Sequence, residues 1–147
     1  ARAEKLAEKP SFKNAFTFRR CLIPADGFYE WQGTQSPKQP MFITLPDEAP
    51  FAFAGLWETW DNKGQSDPIH SCAILTTEAS PALQPIHRRM PVILEPQAYA
   101  MWLDPERQDI DMQEVLKEMA VREFKTSPVS TAVNSTRNNS PGLIGKE

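Results

Sequence analysis

Few residues in this chain can carry chemistry. The 147 residues hold two histidines, His70 and His87, and two cysteines, Cys21 and Cys72. One carboxylate is set apart by its neighbours. Glu30 stands between Tyr29 and Trp31 at the end of the run Arg19-Arg20-Cys21-Leu22-Ile23-Pro24-Ala25-Asp26-Gly27-Phe28-Tyr29-Glu30-Trp31. In a strand, alternation puts Glu30 on the face opposite its two aromatic neighbours. If that face looks into a pocket, the carboxylate is placed for proton transfer. If it looks into water, Glu30 is an ordinary edge charge. His87 lies in the Arg- and Pro-rich stretch Ile86-His87-Arg88-Arg89-Met90-Pro91 between elements, where functional groups concentrate. Imidazole exchanges a proton near neutral pH. Glu30 and His87 would then form an acid/base pair drawn from distant parts of the chain. His70 opens a strand and has no evident partner.

Other chemistries find less support. Cys21, Cys72, His70 and His87 lack the close paired spacing of a zinc site, so no metal is expected. No phosphate loop or dinucleotide fingerprint occurs, and no cofactor is expected. The two cysteines sit in apolar, strand-like runs and read as buried free thiols of a reducing compartment. Arg2, Arg19, Arg20, Arg88 and Arg89 are candidates for a basic patch. Phe28, Trp31, Trp57 and Trp60 could offer stacking faces, the combination by which single strands are held without sequence readout. The competing reading makes the aromatics core and the arginines salt-bridge formers. A net charge of -3 gives no overall attraction to nucleic acid, so binding would rest on a local patch.

The elements that must position these groups read mostly as strands. Ala1 to Lys9 is a short helix or arm ended by Pro10. Phe12, Phe16 and Phe18 lead into a first strand, Phe18 to Ile23. After the Asp26-Gly27 turn come strands over Phe28 to Gln32, Met41 to Leu45, Phe51 to Trp60 and Ile69 to Thr76. Short turns between them imply an antiparallel meander able to curl into a barrel. Ser80-Pro81 opens a helical turn within Glu78 to Ile86, and Val92-Ile93-Leu94 is a short strand. Pro96 to Leu103 and Asp111 to Arg122 read as helices, the second with Met112, Val115, Leu116 and Met119 on one stripe. Val121 to Pro128 could return to the sheet, and the Asn- and Ser-rich tail is irregular. The 14 prolines against 6 glycines fit short elements and stiff turns. There is no signal peptide and no apolar run long enough to span a membrane.

The ordered blocks resemble the SOS response-associated peptidase (SRAP) family. The run Arg19 to Trp31 is similar to its hallmark motif. Phe53-Ala54-Gly55-Leu56-Trp57-Glu58, Ala73-Ile74-Leu75-Thr76-Thr77, Ile86 to Pro91, and Pro128-Val129-Ser130 with Val133-Asn134 follow in the family's order. The resemblance implies one SRAP-type domain over residues 1–147, with an antiparallel β-rich, barrel-like α+β fold and a few short helices. It also implies a cytoplasmic, nucleoid-associated protein of the DNA-damage response. The expected partner is single-stranded DNA with abasic sites, and no membrane is expected.

In the family, the amine of a cysteine exposed at the mature N-terminus attacks the ring-opened sugar aldehyde. The resulting Schiff base is closed by the thiol into a thiazolidine. The resemblance makes Glu30 and His87 the catalytic residues: Glu30 positions the amine, and His87 acts as acid/base on the sugar. It makes Arg2, Trp31, Thr76 and Arg89 the DNA-binding residues. Arg2 and Glu4 match a family Asn-Ala-Arg-x-Glu block that this chain enters at Ala1, so the block's Asn and the segment carrying the nucleophilic cysteine are absent. Cys21 is no substitute, because its amine is tied up in a peptide bond. The chain alone is therefore expected to lack cross-linking activity. Two alternatives stay open: a non-catalytic single-stranded DNA-binding module, and a peptidase acting on its own initiator Met.

Overall fold

The computed structural model describes residues 1–6, 10–64, 67–107 and 112–145. The fold is mixed α+β, with antiparallel sheets and a few short helices. Strands β1 (Arg20–Ala25), β4 (Phe51–Trp60) and β5 (Ile69–Ile74) form one sheet in the order β1-β4-β5. Strands β2 (Phe28–Gln32), β3 (Gln39–Thr44) and β8 (Lys125–Pro128) form a second, in the order β2-β3-β8. Strands β6 (Thr76–Glu78) and β7 (Arg89–Pro91) make a two-stranded ladder. The helices are α1 (Pro10–Phe18), α2 (Tyr99–Leu103) and α3 (Met112–Glu118). By its internal contacts the chain divides into two compact units, each built from several chain segments.

The first unit comprises Ala1–Pro24, Ala52–Thr77 and Pro91–Val121. Its core gathers Leu6, Ala15, Ala54, Leu56, Leu75, Val92, Leu94, Trp102, Val115 and Leu116. Trp102 is wholly buried, and its indole N–H donates to the Cys21 carbonyl at 2.9 Å. Burying an indole requires such a partner for its one donor. The expected approach to β1 differs here. Pro10 begins a helix instead of ending one, and Phe12 and Phe16 lie on α1, packed against the core beside Ala15. The missing N–H of proline costs nothing at the first helical position, and residues 12, 15 and 16 share one helical face. Ala7 to Lys9, part of the expected arm, lie outside the described residues.

Arg20 ties this unit together. Its guanidinium donates to the carbonyls of Phe16 at 2.9 Å, Thr17 at 2.8 Å, Trp102 at 2.6 Å and Asp104 at 2.5 Å. The last carbonyls of a helix have no intrahelical donor, and one planar cation here serves the ends of both α1 and α2. Desolvation lowers the Arg20 pKa, opposed by the nearby Asp104 charge, and the group stays charged throughout the physiological range. Arg20 therefore leaves the expected basic patch. Arg19 leaves it too: its guanidinium donates to Glu58 at 2.6 Å and to Asn14.

The second unit comprises Ala25–Phe51, Glu78–Met90 and Arg122–Glu147. Met41, Ile43, Ala79, Leu83 and Met90 form its core, with Phe28, Ile86 and Phe124 packed against them. β2 pairs antiparallel with β3, Glu30 opposite Met41 and Trp31 opposite Pro40. β3 pairs antiparallel with β8, Phe42 opposite Ser127.

The strands do not follow a five-stranded meander. β1 neighbours β4, while β2 belongs to the other sheet. Two features explain it. Pro24 offers no N–H to a hairpin partner near the end of β1. Neither Asp26 nor Gly27 is among the residues of positive φ, which the favoured two-residue hairpin turns require at one or both central positions. Gly27 is needed for closeness instead: a Cβ there would overlap the Phe42 ring and stand 3.0 Å from the Ile43 carbonyl oxygen. After Met90 the expected Val92–Leu94 strand is reduced to isolated bridges, Phe53 with Ile93 and Leu94 with Ala120. The helix expected from Pro96 begins as a 3-10 turn, Pro96–Ala98, before α2. Asp111, the expected start of the following helix, lies outside the described residues.

Candidate active site

The alternating side chains of β2 sort as the strand pleat requires. Tyr29 and Trp31 share one face, their ring centroids 6.4 Å apart, and Tyr29 also packs against Phe42 at 5.3 Å. The other face carries Phe28, Glu30 and Gln32, and all three engage the Glu78–Met90 segment. Phe28 joins the core with Leu83 and Met90. Gln32 donates through Nε2 to the Pro85 carbonyl at 3.3 Å. Between them, Glu30 Oε2 lies 3.8 Å from His87 Nδ1. The two candidate catalytic groups therefore meet, brought together by a strand face and a loop anchored on either side of the pair. Glu30 is 28% exposed and His87 50%, so the pair sits at a solvent-accessible rim, neither fully in water nor in the core.

The His87 ring is fixed by its own loop. Nδ1 lies 2.9 Å from the Arg89 carbonyl oxygen and 3.2 Å from the Arg89 nitrogen. With a proton on Nδ1, the ring donates to the carbonyl. With Nδ1 bare, the ring accepts from the Arg89 N–H. The Arg89 backbone thus holds the imidazole in place through either state, and Glu30 completes an ion pair whenever the ring is charged. Among the described residues Nε2 has no hydrogen-bond partner, which leaves it as the atom for an incoming group. Glu30 is itself held, accepting from the Trp31 N–H on Oε1 at 3.2 Å.

Trp31 is anchored by a residue that sequence reasoning did not single out. Its indole N–H donates to Asn134 Oδ1 at 2.7 Å. Asn134 ends a 3-10 turn, Thr131–Asn134, whose first residue is preceded by Ser130, the N-cap, accepting from the Ala132 N–H. The Val133-Asn134 pair marked that stretch only as part of a pattern, and spacing could not connect it to Trp31. Arg89 is half-buried, next to His87.

The remaining candidates, Arg2 and Thr76, lie in the first unit and are brought together. They form a parallel bridge. The Thr76 N–H donates to the Ala1 carbonyl at 2.7 Å, and its hydroxyl lies 3.4 Å from the same oxygen. The Arg2 side chain is exposed. Glu4 accepts from the Thr77 hydroxyl at 3.2 Å.

Three expectations need correction. His70 does have a partner, the Thr59 hydroxyl opposite it, at 2.9 Å. The cysteines are both free, but Cys72 is exposed, because β5 is an outer strand of its sheet, and Cys21 is only half-buried. Among the proposed stacking rings Phe28 belongs to a core, whereas Trp57 and Trp60 are exposed.

The sequence model of the SOS response associated peptidase (SRAP) family matches residues 1–136. The abasic site processing protein YoqW of Bacillus subtilis (strain 168) is 44% identical over 146 residues, covering 98% of this chain and 65% of that protein. The abasic site processing protein HMCES of Xenopus tropicalis is 32% identical, covering 95% of this chain and 47% of its own length. A crystal structure of a protein from Bacteroides thetaiotaomicron superimposes with a TM-score of 0.86 at 25% identity, over 100% of this chain and 65% of that one. The chain thus spans about two thirds of the length of its bacterial relatives.

Proposed function

The chain belongs to the SOS response associated peptidase family, and on that premise we propose that it forms part of a DNA-damage response protein that captures abasic sites in single-stranded DNA. The observation that carries this reading is the Glu30–His87 pair, 3.8 Å apart and at a rim open to solvent. Relatives named for abasic site processing support the substrate class.

Capture of a ring-opened sugar needs proton movement more than a metal. An amine adds to the aldehyde carbon, and the oxygen leaves as water once it is protonated. A thiol then adds to the imine carbon while the nitrogen takes a proton. The amine and thiol come from an amino-terminal cysteine that is not among these residues. His87 supplies a proton to the departing oxygen through Nε2, and Glu30 carries charge and orients the amine. Arg2 and Arg89 hold phosphates, while Trp31 and Thr76 line the DNA. Cys21 does not act as nucleophile: desolvation, with Cys72 nearby, raises its thiol pKa and suppresses the thiolate.

The test uses an abasic single-stranded oligonucleotide, read by intact mass and denaturing gel. It is run on this chain and on a longer chain bearing the amino-terminal cysteine. A heat-stable adduct with the longer chain alone is expected. Salt-sensitive retention without any adduct would overturn capture and leave a non-catalytic binding module. Release of an initiator Met that depends on Glu30 and His87, without DNA adduct, would instead assign the pair to autoprocessing.

A further inference from the structure

We propose that the open edge of β5 accepts an extended polypeptide strand that continues from Ala1 on its amino side and runs parallel to β5. Among the described residues β5 ends the sheet order β1-β4-β5, and all its residues except Ala73 are exposed. The direction of its backbone groups follows from two hydrogen bonds. The Trp57 N–H donates to the Arg19 carbonyl at 2.9 Å and so points away from β5. Its ladder partner Cys72 is then in a non-hydrogen-bonded pair, with its own N–H and C=O turned to the open edge. Alternation turns His70 and Ile74 the same way. At Ile74 the edge is already in use, since the Ala1 nitrogen donates to its carbonyl at 2.7 Å.

Ala1 and Arg2 are thereby the first rung of a parallel ladder, bonded to Ile74 and Thr76. Continued upstream, the register is fixed. The second residue ahead of Ala1 donates to the Cys72 carbonyl and accepts from the Ile74 N–H. The fourth donates to the His70 carbonyl and accepts from the Cys72 N–H. β5 itself carries no Lys, Glu, Asp or Pro to block an added strand. Ile69 and Ile74 on β5, with Trp60 and Trp57 on β4, leave apolar surface exposed beside this edge. The bacterial relatives are long enough to supply such a strand, since this chain covers 65% of YoqW. A second copy of the chain fits worse. A two-fold antiparallel pair centred on Cys72 would need the Ile74 carbonyl for the other copy's His70 N–H, and Ala1 already occupies it.

The test is residue-resolved amide hydrogen exchange on three proteins. They are the chain itself, the chain with a short alternating Thr/Val extension ahead of Ala1, and that extension with Pro as the second residue ahead. Slowing of exchange at Cys72 and Ile74 by about 100-fold or more in the extended chain, lost in the Pro control, is expected. The inward-facing amides of Ser71 and Glu58 report that the sheet is folded in all three. Equal exchange at Cys72 and Ile74 in all three proteins would overturn the proposal. So would protection that rises with protein concentration in the unextended chain, which would mark self-association.

Discussion

His87 meets Glu30 through the same nitrogen that its own loop grips: Nδ1 is 3.8 Å from Glu30 Oε2 and 2.9 Å from the Arg89 carbonyl. The imidazole is thus oriented on one side and open on the other, as a proton carrier requires. In the longer chain bearing the amino-terminal cysteine, Glu30→Gln and His87→Gln should each slow adduct formation by about 100-fold or more. If the two act as one relay, the double variant should be no slower than the worse single one. Rates that multiply in the double variant would show independent roles. The measurement is single-turnover adduct formation by gel.

Asn134 and Trp31 predict a second, separable effect. The Trp31 indole has a single donor, its N–H, and donates it to Asn134 Oδ1. Asn134→Ala should remove the bond and cost about 0.5–1.5 kcal/mol at most, because the pair is exposed. Asn134→Asp keeps an acceptor oxygen and should preserve the bond. The check is the Trp31 indole 1H–15N resonance, which should move toward its solvent-exposed position in Asn134→Ala and stay in Asn134→Asp. An unchanged resonance in both variants would refute the anchoring role.

How far the sequence foretold these relationships differs by kind. The strand face of Glu30 was legible, because alternation is a local property that tertiary context rarely overturns. The meeting of Glu30 with His87 was expected only as a pairing of types, since nothing in spacing fixes a loop against a strand face. The strand over Phe28 to Gln32 and the long β4 followed from pattern, and the α+β class from the family resemblance. The region from Pro10 to Phe18 did not, because the three phenylalanines fit a lead-in to a strand as well as a helix face, and proline both stops and starts helices. The role of Arg20 is not legible in sequence either. An arginine that gives four of its five donors to four carbonyls looks, in sequence, like any surface arginine.

Gly27 is a prediction about shape. Ala at this position would place a methyl into the Phe42 ring, so Gly27→Ala should destabilise the protein by about 1–3 kcal/mol through overpacking. Phe42→Leu should relieve part of that cost in the double variant, because the obstacle is the ring itself. Thermal melts of the two single variants and the double variant measure the coupling. Strict additivity would mean that the strain arises elsewhere.

The cysteines predict a pH-dependent difference. Cys72 is exposed, while desolvation and the neighbouring Cys72 raise the Cys21 thiol. A thiol-specific reagent at neutral pH should therefore label Cys72 first. The folded state holds the Cys21 proton more tightly than the unfolded chain does. That contribution to stability is complete below the unfolded-state pKa and is lost as pH rises through the folded-state value. Cys21→Ser should flatten the alkaline side of the stability profile. Peptide mapping after timed labelling, with denaturation followed across alkaline pH, measures both, and Cys21 labelling ahead of Cys72 would contradict the burial argument.

Arg20 gives the largest expected loss. Its side chain is buried and serves carbonyls at the ends of α1 and α2, with the guanidinium 5.6 Å from the Trp102 ring centroid. Arg20→Met fills similar space but leaves those carbonyls without donors, and should cost about 2–4 kcal/mol. Arg20→Lys keeps the charge but cannot fan out to four acceptors, so it should recover only part of the loss. Denaturant melts of the three proteins rank them: wild type, then Lys, then Met. A Lys variant as stable as wild type would mean that charge matters here and the planar fork does not. A Met variant within about 0.5 kcal/mol of wild type would show that the helix-end carbonyls find water as readily as they find Arg20.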